Sequence, residues 1–160
     1  MRVLIIATNR EKAPLPVAPI GACNIATVLD AAGHDVKLLD LMWERKPHKA
    51  IEKAIAAHQP ELVGFSIRNM DNTSWMNNVW YLDDAREYVR TARRAAGVPI
   101  LVGGPAVAVA PGPVVAYVEA DHGIWGDGEK SVVEYVAALA EGRDAGQVLG
   151  VVTPNAGAQP

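Results

Sequence analysis

The stretch GFSIRNMDN, residues 64–72, closes an apolar run with Ser66, Arg68, Asn69, Asp71 and Asn72, and carries Ile67 and Met70 between them. Such a strand end offers a hydroxyl, a guanidinium, two amides and a carboxylate within seven residues. Trp75 and Trp80 follow closely, and flat aromatic rings beside polar groups suit either a flat ligand or a protein partner. A second stretch, VGGPAVAVAP, ends another apolar run in Gly103, Gly104 and Pro105. Paired glycines at a buried strand end permit close backbone approach by a ligand, or a tight turn that needs positive φ. Set beside Ser66 on a neighbouring strand, they make a slot with one hydrogen-bonding group. A third stretch, GIWGDGE, supplies Gly126, Asp127, Gly128 and Glu129. It reads as a turn with an acid near a helix N-terminus, or as backbone set against a ligand's rim.

These groups bind more readily than they catalyse. Of the four histidines, His34 and His122 precede or begin strands, and His58 ends a helix beside Pro60. Only His48 begins a helix on the rim that carries the polar stretches, where it reads as solvated surface. No zinc site and no Ser-His-Asp arrangement can be assembled from them. The loop TNREKAPLPVAPIGA lacks both the compact glycine fingerprint of dinucleotide binding and a phosphate-binding GK[ST]. Pro14, Pro16 and Pro19 stiffen it, and Gly21 lets the following helix approach a neighbour. A rigid surface lid is the other reading of this loop.

The elements that must position these stretches alternate along the chain. RVLIIA, HDVKLLDL, ELVGFSI, VPILVGG and DHGIWG read as strands. Helical patterns lie over 20–32, 48–58, 82–96, 111–118 and 128–141, several of them closing on glycine or just before proline. QVLGVVT is a possible further edge strand, and residues 153–160 read as a loose tail or linker. The pattern predicts one α/β domain over residues 1–152, built on a doubly wound, mainly parallel five-stranded sheet with helices on both faces. Right-handed crossovers then gather the strand-to-helix loops at one rim, where such sheets bind ligands. Those loops are expected over 8–19, 42–47, 66–78, 103–110 and 126–129. Two of these, 8–19 and 66–78, are long beside the usual two to six residues. Receiver domains of the CheY type are disfavoured, because Thr8-Asn9 and Ser66 stand where they need acids.

Composition narrows the partners. The chain has 160 residues, half of them hydrophobic, with a formal net charge of −3. That balance argues against a nucleic-acid surface, which needs a basic stripe. No stretch approaches the roughly 20 apolar residues of a membrane span, and MRVLIIATN reads as a first strand and not a signal peptide. Cys23 is the single cysteine, so this chain alone cannot hold a disulfide, a thiolate cage or an iron–sulfur cluster. A cytoplasmic setting is expected.

With these loops in order, the chain resembles the cobalamin (vitamin B12)-binding domain of cobalamin-dependent radical SAM enzymes. APIGACNIATVLDAAGHDVKLLDL, ELVGFSIRNMDN, ILVGGPAVAVAP and GIWGDGEKSVVEYV carry the resemblance and span nearly the whole chain. The resemblance implies a Rossmann-like, flavodoxin-like sheet of strand order 2-1-3-4-5. It implies that the cofactor's nucleotide tail enters between Ser66 and Gly103-Gly104, with Ser66 facing the base and Pro105 beside the passage. The Gly126–Glu129 turn would touch corrin or tail amides, and the corrin would lie against the first and third loops, on Pro16, Gly21 and the floor from Ile67 to Asn72.

Two departures shape the expectation. Corrinoid domains of the methionine synthase and mutase type carry Asp-x-His-x-x-Gly after the first strand, and its histidine ligates cobalt. Thr8–Gly21 contains no histidine. The cofactor is therefore expected base-off and His-off, with no protein ligand to the metal and with Arg68 and Asn69 beneath or beside the ring. Arginine stays protonated and is no neutral ligand. The radical SAM motif Cys-x-x-x-Cys-x-x-Cys is also absent, so the iron–sulfur cluster and S-adenosylmethionine belong to another domain, in cis or in trans. The chain reads as the non-catalytic cofactor module of a methyltransferase. The alternatives are a flavodoxin-like FMN domain, which would want a Ser/Thr-rich first loop, and a protein-interaction domain of the same fold.

Overall fold

The computed structural model describes residues 1–155. The expected tail at 153–160 therefore lies outside the described residues from 156 onward. Six strands form one sheet in the order β2-β1-β3-β4-β5-β6. They are β1 (Arg2–Ala7), β2 (Asp35–Asp40), β3 (Leu62–Ser66), β4 (Ile100–Gly103), β5 (His122–Ile124) and β6 (Val151–Val152). The first five pair in parallel, and β6 runs antiparallel to β5. Helices α1 (Ile20–Ala31), α2 (Pro47–His58), α3 (Tyr81–Ala96), α4 (Pro105–Val109), α5 (Pro111–Tyr117) and α6 (Gly128–Ala140) cover both faces. None is long and apolar enough to cross a membrane.

The sequence explains where these elements stop. α3 carries Asp83 and Asp84 in its first turn and Arg93 and Arg94 in its last, which complements its dipole. It closes on Gly97 at φ +64°, a left-handed conformation that glycine adopts without steric cost. α2 begins on Pro47, whose missing N–H costs nothing at a first helical position.

Side-chain alternation divides the core in two. Leu4, Ile6, Val63, Phe65, Ile67, Ile100 and Val102 face α2, α3 and α5. Val3, Ile5, Ala7, Leu62 and Leu101 face α1 and α6, together with Leu29, Val132 and Tyr135. Each face buries branched aliphatic side chains at well under a tenth of their surface.

The sheet has one strand more than the five expected, because the possible edge strand in QVLGVVT forms as β6. After α6 the chain passes a short 3-10 turn at Ala145–Gln147 and climbs beside β5 without a helix. Gly150, at φ +83°, then reverses it, and the Trp125 N–H donates to the Gly150 carbonyl at 2.9 Å. A strand entered through a reversal and no crossover helix must be antiparallel. The loop expected over 103–110 is also shorter, because α4 starts directly at Pro105. Gly104 caps it at φ +98° and ψ 177°.

Candidate functional site

A cavity of about 410 Å³ opens at the carboxyl rim and descends between α1 and α6 onto β1, β3 and β4. Its size falls within the roughly 300–1,000 Å³ of small-molecule pockets. The floor follows from alternation along β3, which turns Leu62, Gly64 and Ser66 toward α1 and α6. Gly64 leaves room above the sheet, and the Ile5 Cδ1 atom moves into it, 2.8 Å from where a Cβ would stand. Ser66 lies one pleat nearer the rim. The walls are largely aliphatic, from Val17, Ile25, Leu101, Ile124 and Val132. An apolar slot reached past one hydroxyl suits a flat heteroaromatic group with a polar edge.

The two glycines at the end of β4 serve different purposes. A Cβ on Gly104 would lie 2.7 Å from the Ile67 carbonyl oxygen, so the close approach of two backbones requires glycine there. The Ile67 N–H donates to the Gly103 carbonyl, and the Ala106 N–H donates to the Ile67 carbonyl, at 2.8 and 3.2 Å. Gly104 is therefore explained by the turn. A Cβ on Gly103 would meet only the Ile124 carbonyl, at 4.0 Å, and its open side faces the slot. Gly21 also has open space where a Cβ would stand, at the slot's mouth. Gly128 instead lets α6 approach α1, since its Cβ would lie 3.1 Å from the Ile25 Cδ1 atom.

Beside the slot lies a smaller, polar hollow of about 160 Å³, lined by residues 8–11, 68–69, Tyr81 and Asp84. Asn9 and Arg68 line both spaces and form the partition between them. The Asn9 Nδ2 is buried with no hydrogen-bond partner. A buried donor left in that state costs about 1–3 kcal/mol. Arg68 is exposed and joins none of the ion pairs found among the described residues. Glu11 accepts from the Ala13 N–H and from the Tyr81 hydroxyl, each at 2.8 Å. These bonds, the backbone one foremost, hold its carboxyl below the usual range. Desolvation, reinforced by Glu11, pushes the Tyr81 hydroxyl up.

Of the residues singled out in the sequence, the slot gathers Gly21, Ser66, Arg68, Gly103, Gly104, Pro105 and the turn from Gly126 to Glu129. Asn69 lines the polar hollow instead. Ile67 points into the opposite core and is 1% exposed, and Met70 packs against that same core. Asp71 and Asn72 hold their own loop closed. Asp71 accepts from the Thr73 N–H, while Asn72 accepts from Ser74 and Val79 and donates to the Asn77 carbonyl. Pro16 is exposed and does not line the slot. Trp80 stacks edge-on with Tyr117 at 6.2 Å, and Trp75 stands 99% exposed at the loop's tip.

No histidine or cysteine lines either space. His34 lies against the chain's amino terminus, and His122 against the Tyr135 hydroxyl, both at the far rim. Burial and then the neighbouring ammonium hold His34 below its ordinary value. His58 meets the Asp35 carbonyl. His48, read in the sequence as solvated, is exposed yet bonded through Nδ1 to the Thr91 hydroxyl at 2.8 Å. Among the described residues, no group of three or more His, Cys, Asp or Glu side chains is placed to hold a metal ion.

Among the lining residues that escaped the sequence reading, Gly64 and Asn9 bear most on the shape of the site. Gly64 was legible in principle, two residues before Ser66 and hence on its face. Asn9 carried no motif, because its role depends on the partition it shares with Arg68.

A family model described as the B12 binding domain matches residues 6–136. The tryptophan 2-C-methyltransferase of Streptomyces laurentii is 29% identical over 134 residues, which make up 83% of this chain and 22% of that protein. The chain thus spans under a quarter of that relative's length. A structure of the radical S-adenosylmethionine methyltransferase TsrM from Kitasatospora setae, with cobalamin and an iron–sulfur cluster bound, superposes with a TM-score of 0.88 at 29% identity. It covers 95% of this chain and 27% of that one. OxsB, a cobalamin-dependent S-adenosylmethionine radical enzyme, shares the fold at 16% identity, with a TM-score of 0.70 over 94% of this chain and 20% of that one.

Proposed function

This chain belongs to the B12-binding domain family, and from that premise we propose that it binds cobalamin base-off and His-off, as the cofactor module of a radical SAM methyltransferase. The observation that carries the proposal is the slot from Ser66 and Gly64 to Gly103, which is free of histidine along its lining. It fits a nucleotide tail because its walls are apolar, its mouth offers a hydroxyl, and glycines stand where a Cβ would obstruct entry. Bound cobalamin supplies a cobalt centre that can carry a methyl group.

The chain's own residues bind, orient and exclude water. Ser66 meets the heteroaromatic edge of the tail, and α1 and α6 shut solvent away from it. Gly21 and Gly103 keep the entrance narrow but clear. Arg68, unpaired and exposed at the mouth, sets the polarity under the ring without acting as a ligand. Methyl transfer to carbon is the class of reaction supported by the tryptophan 2-C-methyltransferase and TsrM relatives. The cluster and S-adenosylmethionine belong to a separate domain, in cis or in trans. The chain's 22% share of the curated relative agrees with a module of that kind.

Purified protein incubated with hydroxocobalamin and passed through gel filtration tests the proposal. Retention of a red chromophore with a base-off spectrum is expected. Ser66→Trp abolishes retention, whereas Arg68→Ala retains the cofactor with an altered cobalt spectrum. A yellow protein from cells would favour FMN, and a protein that retains neither chromophore would favour the interaction domain.

A further inference from the structure

The polar hollow beside the slot has no part in holding a nucleotide tail, yet it opens on the same rim. It shares Asn9 and Arg68 with the slot, so a ligand anchored in one passes the mouth of the other. Its chemistry is mixed and balanced, with the carboxylates of Glu11 and Asp84 against the guanidiniums of Arg10 and Arg68. Arg10 is turned to the carbonyls of Leu41 and Glu44, and Glu11 is engaged by Ala13 and Tyr81. What remains is a buried donor without an acceptor, the Asn9 Nδ2, with the unpaired Arg68 guanidinium beside it and the Asp84 carboxylate to balance that charge. A donor and an acceptor left over in a charge-balanced hollow match a neutral carboxamide, whose carbonyl accepts and whose NH2 donates.

The corrin of cobalamin carries propionamides on the face from which its nucleotide tail leaves. We infer that the hollow formed by Asn9, Arg68 and Asp84 holds one of these carboxamides and rejects the corresponding carboxylate. A carboxylate there has no proton to donate to Asp84 and adds a charge to a hollow already balanced. The inference rests on the cobalamin proposal and deepens it, making Asn9 and Asp84 specificity-determining residues for an amidated corrin.

Titrations of the full chain with hydroxocobalamin and with its b-, d- and e-monocarboxylic acids, followed by absorbance, test it. One of the three acids should bind roughly tenfold to a hundredfold more weakly than hydroxocobalamin, the scale of losing a hydrogen bond to a charged group. Asp84→Asn should bring that isomer back toward the parent, and Asn9→Leu should raise the Kd for hydroxocobalamin about tenfold. Equal binding of all three acids, with hydroxocobalamin retained, would overturn this inference alone and leave the hollow to water. Discrimination unchanged by Asp84→Asn would also overturn it, by moving the recognition elsewhere. Failure to bind hydroxocobalamin at all would overturn the cofactor proposal and this inference together.

Discussion

Adjacent glycines at the end of β4 should respond to the same substitution in opposite ways. Gly104 sits at φ +98° and ψ 177°, a region essentially reserved for glycine, and a Cβ there would meet the Ile67 backbone oxygen at 2.7 Å. Backbone cannot swing aside as a side-chain tip can. Strain of about 1–3 kcal/mol is the minimum expected for Gly104→Ala. At about 2–4 °C per kcal/mol for a domain of this size, Tm should fall by about 2–12 °C. Gly103→Ala meets only the Ile124 carbonyl at 4.0 Å, without an unusual φ. Its apo form should gain about 0.4–1 kcal/mol from a less flexible unfolded chain, a rise of about 1–4 °C. The new methyl group nevertheless enters the slot. Overfilling by one carbon costs typically about 1–3 kcal/mol, or roughly 5- to 150-fold in the Kd for hydroxocobalamin. Thermal unfolding of the apo proteins, paired with absorbance titration, separates the two effects. Wild-type affinity in Gly103→Ala would refute the slot as the ligand's path. An unchanged Tm in Gly104→Ala would refute the close-approach explanation.

Two further outcomes follow from the loops around the site. Glu11 titrates below its ordinary value of 4.5, so its contribution to stability is present above that value and lost as pH falls through the lowered one. Tyr81→Phe removes the second of its supporting bonds, so the Glu11 carboxyl should titrate higher by NMR and the acid-side loss of stability should shrink; an unmoved carboxyl would contradict this. Asn72→Ala breaks three bonds that close the third loop, at a cost of about 1–3 kcal/mol. Proteolysis between residues 73 and 79 should then speed up, and an unchanged cleavage rate would show that the loop is held by other contacts.

The parts of the fold governed by period and punctuation were legible in the sequence. Strand β1 is a continuous branched run because both its faces are covered, and α3 announces itself through its acidic start, basic end and Gly97. Ser66 and Gly103 were readable as a slot because equivalent ends of neighbouring parallel strands must lie side by side, and they are register partners. The edge was harder. β6 was readable only as a possible edge strand in QVLGVVT; it pairs through two residues, and its antiparallel direction depends on the reversal at Gly150, a tertiary event. The polar run after Ser66 also divides in a way its composition conceals. Arg68 and Asn69 face the rim, Ile67 turns into the core, and Asp71 and Asn72 bond their own loop, because side-chain oxygens near a turn find backbone N–H groups first. Asn9 was invisible for a related reason: its buried amide matters only through the hollow it shares with a residue 59 positions away.

The environment beneath the cobalt is the central claim, and electron paramagnetic resonance of the protein loaded with cobalamin and reduced to the cobalt(II) state tests it most directly. A nitrogen ligand below the metal splits each cobalt line into three, whether it comes from a histidine or from the cofactor's own base. Cobalt lines without that splitting are expected, in a protein that keeps its cofactor through gel filtration. Nitrogen-split lines from the retained cofactor would contradict it.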